Sequence, residues 1–291
     1  MNDEVLEKYR EAGVIASRIL KDGAQKIRIG ASYFEIVDSI EARVTAEGAS
    51  LAFPLNLSLN EDAAHDTASP GDQRILARGD VAKLDLGVQI DGYIADTAMT
   101  VDLGSNALLV EASRQALERA IAGIRPGVTA GDLGTAIQSE IESRGYRPVA
   151  NLTGHGLDQY VQHCSPTIPN IAGYGGVTLE EGMVFAIEPF ATTGSGHVTE
   201  KSRREIYSQI SAKPVRIPAA RAVLEKVRDR RGLPFARRWL NDRKMDLALP
   251  GLIRSQVLHG YPVLSDVPGS LVSQAEHTVV VTADGCIVTT R

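Results

Sequence analysis

The chain of 291 residues is 43% hydrophobic and 23% charged, an ordinary composition for a globular protein of one large domain or two small ones. No apolar run approaches the roughly 20 residues of a membrane-spanning helix, and the first residues lack the apolar core of a signal peptide. Only two cysteines occur, Cys164 and Cys286, so neither a disulfide framework nor a structural zinc site is indicated. We therefore expect a cytoplasmic protein without a membrane segment.

The net charge of −5 conceals an uneven distribution along the chain. Residues 201–254, called the basic segment from here on, carry 15 lysines and arginines against 5 aspartates and glutamates. The remainder of the chain carries 16 against 31. Such a segment is either an ordinary solvated helical face or a surface that contacts ribosomal RNA, and composition alone does not separate the two.

Hydrophobic periodicity predicts helices over residues 3–24, 33–47, 106–123 and 129–144. Short apolar runs predict strands within residues 51–60, 84–98, 183–190 and 276–282. Strands that alternate with pairs of helices favour an α+β fold in which the helices pack on one face of a sheet.

The alternation of strands and helices is interrupted between residues 201 and 260, where three stretches are helical and basic in character. We expect this segment to be a helical insertion between two strands, so that residues 1–200 and 261–291 form the main domain. A weak internal repeat suggests two related halves in that domain, because Gly79–Asp85 and Gly182–Glu188 share the pattern of a strand ending in a carboxylate. Chance also produces matches of this length, so the repeat alone does not decide the question.

The stretch LDLGVQIDGYIADTA, residues 84–98, places two carboxylates where a buried strand pair normally carries apolar side chains. Asp91-Gly92 is a strong signal for a two-residue turn, and that turn pairs Gly87 with Asp96. Asp85 and Asp96 then lie on one face of the hairpin as diagonal neighbours, and Gly87 leaves the space between them open. Close carboxylates repel unless one is protonated or a cation lies between them. The hairpin therefore indicates either a metal site or an exposed face on which both aspartates pair with arginines.

Three further residues have the chemistry of metal ligands. His155 lies between two glycines, where the bare backbone lets an ion or a substrate approach closely. Glu188 ends one apolar run and Glu276 begins another, so each charge is costly to bury without a partner. Four carboxylates and one imidazole form a ligand set that suits Mn, Fe, Co or Zn. Taken alone, a histidine such as His155 is more often a structural residue than a ligand, and Glu188 and Glu276 are each equally consistent with a salt-bridged place in the core.

Taken together, these segments resemble the methionine aminopeptidases, specifically the type II class in its short archaeal form. The stretches with counterparts in that family are NEDAAHD, LDLGVQIDGYIADTA, NLTGHGLDQYVQH, FAIEPFATTGSG and SQAEHTVVV, and the resemblance extends over nearly all of the chain. The helical insertion between Glu188 and Glu276 is typical of type II rather than type I. The resemblance implies the pita-bread fold, in which two α+β halves are related by pseudo-twofold symmetry around the metal site.

The resemblance also implies a role for each residue of the site. Two divalent metal ions (Co, Mn, Fe or Zn) would be held by Asp85, Asp96, His155, Glu188 and Glu276. A metal-bridged hydroxide would attack the first peptide bond and release the initiator methionine from nascent proteins whose second residue is small. Glu188 would shuttle the proton, while His65 and His163 would form hydrogen bonds with the substrate and the tetrahedral intermediate.

An apolar pocket for the methionine side chain is implied by the same resemblance, with Phe53, Phe190 and Tyr261 as its aromatic lining. Gln162 stands before His163 where the family has an apolar residue, so we expect Gln162 to contact substrate and to alter the preference for the second residue. Cys164 stands where a small residue is commoner. The implied partners are N-terminal Met peptides and nascent chains, and the family expectation is a monomer.

Two alternatives remain open on the sequence alone. Proline-directed peptidases share the fold, but usually carry a large N-terminal domain that has no counterpart in this sequence. A catalytically inactive protein that uses the fold to bind RNA or ribosomes is the other alternative, although binding alone does not require five metal ligands.

Overall fold

The computed structural model describes residues 1–291, and its helices agree closely with the periodicity of the sequence. The seven helices are α1 Asp3–Ala24, α2 Tyr33–Ala46, α3 Ala107–Ile121, α4 Ala130–Ser143, α5 Pro218–Lys226, α6 Arg237–Leu240 and α7 Arg243–Arg254. A 3-10 turn, Arg228–Arg230, follows α5. The first four helices confirm the predicted ones to within two residues at each end.

The sixteen strands are short except in the central hairpin, around the insertion and at the edge strand β8. In chain order they are β1 Ser50–Leu51, β2 Asn56–Leu59, β3 Asp62–Ala64, β4 Val81–Ile90, β5 Tyr93–Asp102, β6 Arg147–Pro148, β7 Thr153–Asp158, β8 Val161–Pro169, β9 Val184–Ile187, β10 Phe190–Thr192, β11 Thr199–Gln209, β12 Phe235–Ala236, β13 Leu258–Ser265, β14 Val272–Gln274, β15 His277–Val281 and β16 Cys286–Val288.

The first half of the main domain packs α1 and α2 on an antiparallel sheet built around β4. Strand β4 pairs with β5 along one edge and with β1 and β2 in succession along the other. Ile19 of α1, Val37 of α2 and Leu84 of β4 belong to one cluster of 21 buried apolar residues. Helix α1 begins at Asn2, whose side chain accepts a hydrogen bond of 2.8 Å from the amide of Val5.

The second half repeats this plan with α3, α4 and a five-stranded sheet in the order β16-β15-β9-β7-β8. Helix α4 begins with a capping box in which Thr129 and Asp132 satisfy each other's backbone amides. Leu117 of α3, Ile137 of α4 and Phe185 of β9 belong to a cluster of 19 buried apolar residues, close in size to the first core.

The weak internal repeat of the sequence corresponds to equivalent places in the two halves. Gly79 and Gly182 both have positive φ angles, 95° and 87°, and each lies shortly before a central strand, β4 or β9. The halves are joined where β5 runs beside the segment between β14 and β15. There, the amide of Glu276 donates to the carbonyl of Ala98 over 3.0 Å, so the two halves meet next to predicted metal ligands.

The insertion differs in extent from the sequence expectation of helices over 201–260. Residues 201–209 belong to β11, which pairs with β13, and Phe235–Ala236 forms the short strand β12 on the other edge of β11. The helices lie within residues 218–254, between β11 and β13 and on both sides of β12, and they share a core of 10 buried apolar residues with these strands. Residues 204–209 are buried or half-buried on both faces of β11. This packing stabilises a strand there although the sequence is polar.

Two arginines of the basic segment point inward and attach the insertion to the main domain. The guanidinium of Arg230 donates to the carbonyl of Ala52 over 2.9 Å and lies 5.0 Å from the ring centroid of Trp239. Arg238 forms an ion pair with Glu41 of α2 and donates to the hydroxyl of Thr67 over 2.9 Å. The guanidinium groups of these two arginines therefore bind partners inside the protein and are not available to an external partner.

No helix of the structure combines the length and the apolar character that crossing a membrane requires.

We predict that Arg238→Met lowers the free energy of unfolding by about 3 kcal/mol, because the Glu41 carboxylate, 9% exposed, loses its cationic partner. Urea unfolding measures the effect. Arg221→Met is the matched control, since Arg221 is exposed on α5 and has no ion-pair partner. Equal losses in the two variants would show that the buried ion pair does not hold the insertion in place.

Candidate metal centre

The β4–β5 hairpin has the register that its turn predicts. Ile90 pairs with Tyr93, Gly87 with Asp96 and Asp85 with Ala98. Asp85 and Asp96 consequently share a face and line a single cavity of about 460 Å³.

The space beside Gly87 is filled, which corrects the expectation that this glycine leaves a gap for an ion. A Cβ atom at Gly87 would lie 2.2 Å from Cε1 of Phe53, so the glycine makes room for the Phe53 ring. The aromatic ring thus packs directly against the strand that carries Asp85, and an apolar wall adjoins the carboxylates.

The structure brings the other three predicted ligands to the same cavity. His155 lies on β7, Glu188 follows β9, and Glu276 lies between β14 and β15. The Nε2 atom of His155 is 3.8 Å from Oδ2 of Asp96 and 3.6 Å from Oε1 of Glu188. Ligand atoms of Asp96, His155 and Glu276 all lie within 4.8 Å of one another.

Hydroxyl groups attach Asp96 and Glu276 to each other's strands. The amide of Asp96 donates to Oγ1 of Thr278 over 2.7 Å, and the hydroxyl of Thr97 donates to the carbonyl of Glu276 over 2.9 Å. These contacts join β5 to β15 and the residue before it, so the carboxylates of Asp96 and Glu276, which come from different halves, keep a fixed separation.

Two amide side chains of the site were missed by the sequence analysis. Nε2 of Gln274 donates to Glu188 over 3.3 Å and to Glu276 over 3.4 Å, and thereby orients both carboxylates. Asn56 lies opposite Asp85 in the β2–β4 pair and lines the cavity. The spacing of Gln274 and Glu276, two positions apart in an extended segment, was the available signal.

The carboxylates of the cavity are electrostatically unfavourable in the absence of a cation. Burial raises the pKa of Asp85 to about 7. Burial also raises the pKa values of Asp96, Glu188 and Glu276 well above their ordinary range, and repulsion from the neighbouring carboxylates adds to each shift. Burial lowers the pKa of His155 to about 3, so its imidazole is neutral and able to coordinate a metal.

The donor set fits a divalent metal. Oδ1 of Asp85 and Oδ1 of Asp96 are buried without any hydrogen-bond partner, which is costly for a carboxylate unless a cation takes that place. Four carboxylates and one neutral imidazole are ligands that Mn, Fe, Co and Zn accept. No arginine or lysine forms an ion pair with these four carboxylates, so the alternative of salt-bridged core residues does not apply.

The remaining predicted site residues divide into those that line the cavity and one that does not. Phe53, Phe190, His65, Gln162, His163 and Cys164 line it. The ring of His163 lies 4.2 Å from the ring of His155, centroid to centroid. Tyr261 stands behind His65, with 5.5 Å between the ring centroids, and reaches the cavity only through that histidine.

Comparison with known proteins agrees with this geometry. Residues 7–283 match the family model described as metallopeptidase family M24. The chain belongs to that family. This M24 peptidase is 49% identical to the methionine aminopeptidase of Archaeoglobus fulgidus over 292 residues, which cover 100% of both chains. The predicted resemblance to the methionine aminopeptidases is thereby confirmed.

Solved structures confirm the pita-bread fold of this M24 peptidase. The crystal structure of methionine aminopeptidase from Thermotoga maritima has a TM-score of 0.74 at 23% identity, covering 100% of this chain and 98% of that one. A thermophilic Arx1 structure has a TM-score of 0.89 at 19% identity, covering 99% and 91%. These likenesses concern the fold alone.

We predict that the metal-free peptidase loses stability as the pH rises through about 7. The pKa of Asp85 is about 7 in the folded protein and near its ordinary value of about 3.9 in the unfolded chain. The folded state therefore binds more protons, and this contribution to stability is largest below the unfolded pKa and is lost above the folded pKa. Thermal melts of chelator-treated protein between about pH 5 and about pH 8 measure it.

Asp85→Asn is the control, because an amide does not titrate and the slope of melting temperature against pH should flatten. Added Mn²⁺ should also raise the wild-type melting temperature most at the upper end of this range. A metal-free melting temperature that rises across the same interval would contradict the electrostatic description of the cavity.

Proposed function

We propose that this chain is a methionine aminopeptidase that removes the N-terminal methionine from nascent proteins with a small second residue. Metal-dependent removal of N-terminal methionine is the activity that family membership and the A. fulgidus relative support. The observation that carries the proposal is the single cavity lined by four carboxylates, three histidines and two phenylalanines. A cytoplasmic location and a monomeric state stay predictions.

Asp85, Asp96, His155, Glu188 and Glu276 would hold the metal. We propose two divalent ions drawn from Co, Mn, Fe and Zn, because four carboxylates with two oxygens each, together with one imidazole, offer more donor atoms than one such ion coordinates, and two of those oxygens have no other partner. When bound, the ions would supply a nucleophile from water near neutral pH and polarise the scissile carbonyl.

Glu188 is the residue best placed to hold and move a proton. Gln274 occupies its Oε2 atom, which leaves Oε1, 3.6 Å from Nε2 of His155, on the side of the cavity. Burial raises the pKa of Glu188 well above its ordinary range, with the Asp85 carboxylate adding to the shift. Oε1 would therefore take a proton near neutral pH and return it to the leaving amine.

His65 would act as a hydrogen-bond acceptor for the substrate backbone. Its Nδ1 atom lies 3.2 Å from the carbonyl of Pro262, and a carbonyl oxygen only accepts, so Nδ1 carries the proton. Burial lowers the pKa of His65 to about 4, which keeps the ring neutral and leaves Nε2 as an acceptor for a peptide N–H. His163 would complete the polar side of the site from beside His155.

Phe53 and Phe190 would bind the methionine side chain. Both rings are nearly fully buried, line the cavity and present an apolar surface next to the carboxylates. An unbranched thioether fits such a pocket because it is flexible and polarisable. Tyr261 would support His65 from behind, and Gln162, whose Oε1 is buried without a partner, would affect the preference for the second residue.

Glu188→Gln should lower kcat/KM on a Met-Ala-Ser peptide by about 10² to 10⁴, because the amide holds no transferable proton. Release of free methionine measures the reaction. Glu181→Gln, an exposed glutamate on the loop before β9, is the matched control and should keep wild-type activity. Unchanged activity of Glu188→Gln would overturn the assigned proton carrier.

The proline-directed alternative is tested with an Ala-Pro peptide under the same conditions. The proposal expects methionine release from Met-Ala-Ser and no cleavage of Ala-Pro. Cleavage of Ala-Pro in preference to Met-Ala-Ser would assign the chain to the proline-directed activity instead.

Contact of the basic segment with ribosomal RNA stays a prediction, and the structure determines which of its residues can test it. Arg230, Arg237 and Arg238 have partners within the protein, so reversing their charge would disrupt the fold. The exposed cations of the segment without an ion-pair partner include Arg216, Arg243, Lys244 and Arg254. Reversing the charge of these four residues should reduce co-sedimentation of the protein with ribosomes at low salt. Binding that does not depend on salt, or no binding at all, would exclude the contact.

A further inference from the structure

His65 has a backbone conformation that few residues other than glycine adopt. Its φ angle is 65°, in the left-handed region, and such a conformation persists only where neighbouring contacts over-determine it. Ala64, the residue before it, ends β3 and pairs with Leu264 of β13. The contacts that hold the chain on the other side come from Asp66.

Asp66 is a buried carboxylate, 1% exposed, directly after His65. Its carboxylate forms an ion pair with Arg74, and Nε of Arg203 lies 3.2 Å from its Oδ1 atom. The carbonyl of Asp66 accepts a hydrogen bond of 2.8 Å from the amide of Leu57. Both the backbone and the side chain of the residue after His65 are therefore fixed.

Charge is balanced within this cluster. The side chain of Asp72 is 4% exposed, and its Oδ2 atom lies 2.8 Å from Nη2 of Arg74 and 3.2 Å from Nη2 of Arg203. Two buried aspartates thus face two guanidinium groups. Neutralising one aspartate leaves an excess positive charge in a partly buried place, and the loop must rearrange or admit water.

Part of the cluster comes from the strand that leads into the insertion. Arg203 lies on β11, and its Nη2 atom also donates to the carbonyl of Thr67 over 3.0 Å. Arg238 of α6 donates to the hydroxyl of Thr67 and, over 3.1 Å, to the carbonyl of Ala68. The loop that follows His65 is consequently held by residues of the basic segment.

We propose that Asp66, fixed by Arg74 and Arg203, is a positioning residue for His65. It holds the left-handed backbone of His65 so that Nδ1 meets the Pro262 carbonyl and Nε2 is presented to substrate. The part of this inference that concerns catalysis rests on the proposed function. The part that concerns the geometry of His65 does not.

The kinetic test is a double-mutant cycle on methionine release with His65→Ala, Asp66→Asn and the double variant. Asp66→Asn should lower kcat by about tenfold and change KM by less than about twofold, because misplacing a catalytic group affects the chemical step. In the His65→Ala background the same change should alter kcat by less than about twofold, since the residue that it positions is gone. Equal losses in both backgrounds would overturn the proposal.

Two further variants keep the result interpretable. Glu205→Gln removes another buried carboxylate with an arginine partner, Arg237, that does not touch the loop, and its kcat should stay within about twofold of wild type. Arg203→Gln, at a more exposed side chain, replaces Asp66→Asn if that variant does not fold, and its loss of kcat should likewise vanish in the His65→Ala background.

A crystal structure of Asp66→Asn decides the geometry without reference to activity. We expect residue 65 to leave the positive φ region and the contact between its Nδ1 atom and the Pro262 carbonyl to be lost. Retention of both would contradict the positioning role. If the wild-type protein released no methionine, the proposed function would fail, while this structure would still decide whether Asp66 holds His65.

Discussion

Four carboxylates, two of them buried and two half-buried, repel one another in a single cavity, and this repulsion constrains the elements that surround them. Asp85, Asp96, Glu188 and Glu276 line one cavity of about 460 Å³ and have no arginine or lysine partner. Burial and mutual repulsion raise all four pKa values. A fold gains nothing from such a cluster unless protons or a cation neutralise it, and unpartnered oxygens favour the cation.

The packing within and between the two halves of the domain keeps the four carboxylates together. Each half buries a core of similar size between a sheet and two helices, so each supplies a rigid strand that carries carboxylates. The hydroxyl of Thr97, which donates to the carbonyl of Glu276, and that of Thr278, which accepts from the amide of Asp96, then fix one half against the other beside the carboxylates. The insertion adds a third contact, because Arg203 and Arg238 hold the loop that follows His65.

Local features of the sequence predicted local features of the structure well. The Asp91-Gly92 turn determines the register of β4 and β5, so the shared face of Asp85 and Asp96 followed from pairing rules alone. His155 and Glu276 lie far from that hairpin in the sequence; their chemistry made them candidate ligands, but only the family resemblance implied that they meet the hairpin in one site. Their meeting in one cavity depends on long-range strand pairing, which periodicity does not encode.

The features that the sequence did not reveal depend on where side chains point in the folded protein, which composition does not record. A net charge counts arginines without saying where they point, so Arg230 and Arg238 were interpreted as part of a basic face although they bind inside the protein. Gln274 carries no charge, so only its spacing from Glu276 in an extended segment indicated it, yet it orients two carboxylates. Gly87 was interpreted as a gap because a sequence does not show that the Phe53 ring occupies it.

Anomalous diffraction from crystals grown with Mn²⁺ tests the central claim most directly, because it locates the cation that the carboxylates are inferred to hold. We expect anomalous peaks inside the cavity, in contact with Asp85, Asp96, His155, Glu188 and Glu276. An empty cavity at saturating Mn²⁺, or peaks only at exposed carboxylates elsewhere on the surface, would contradict it.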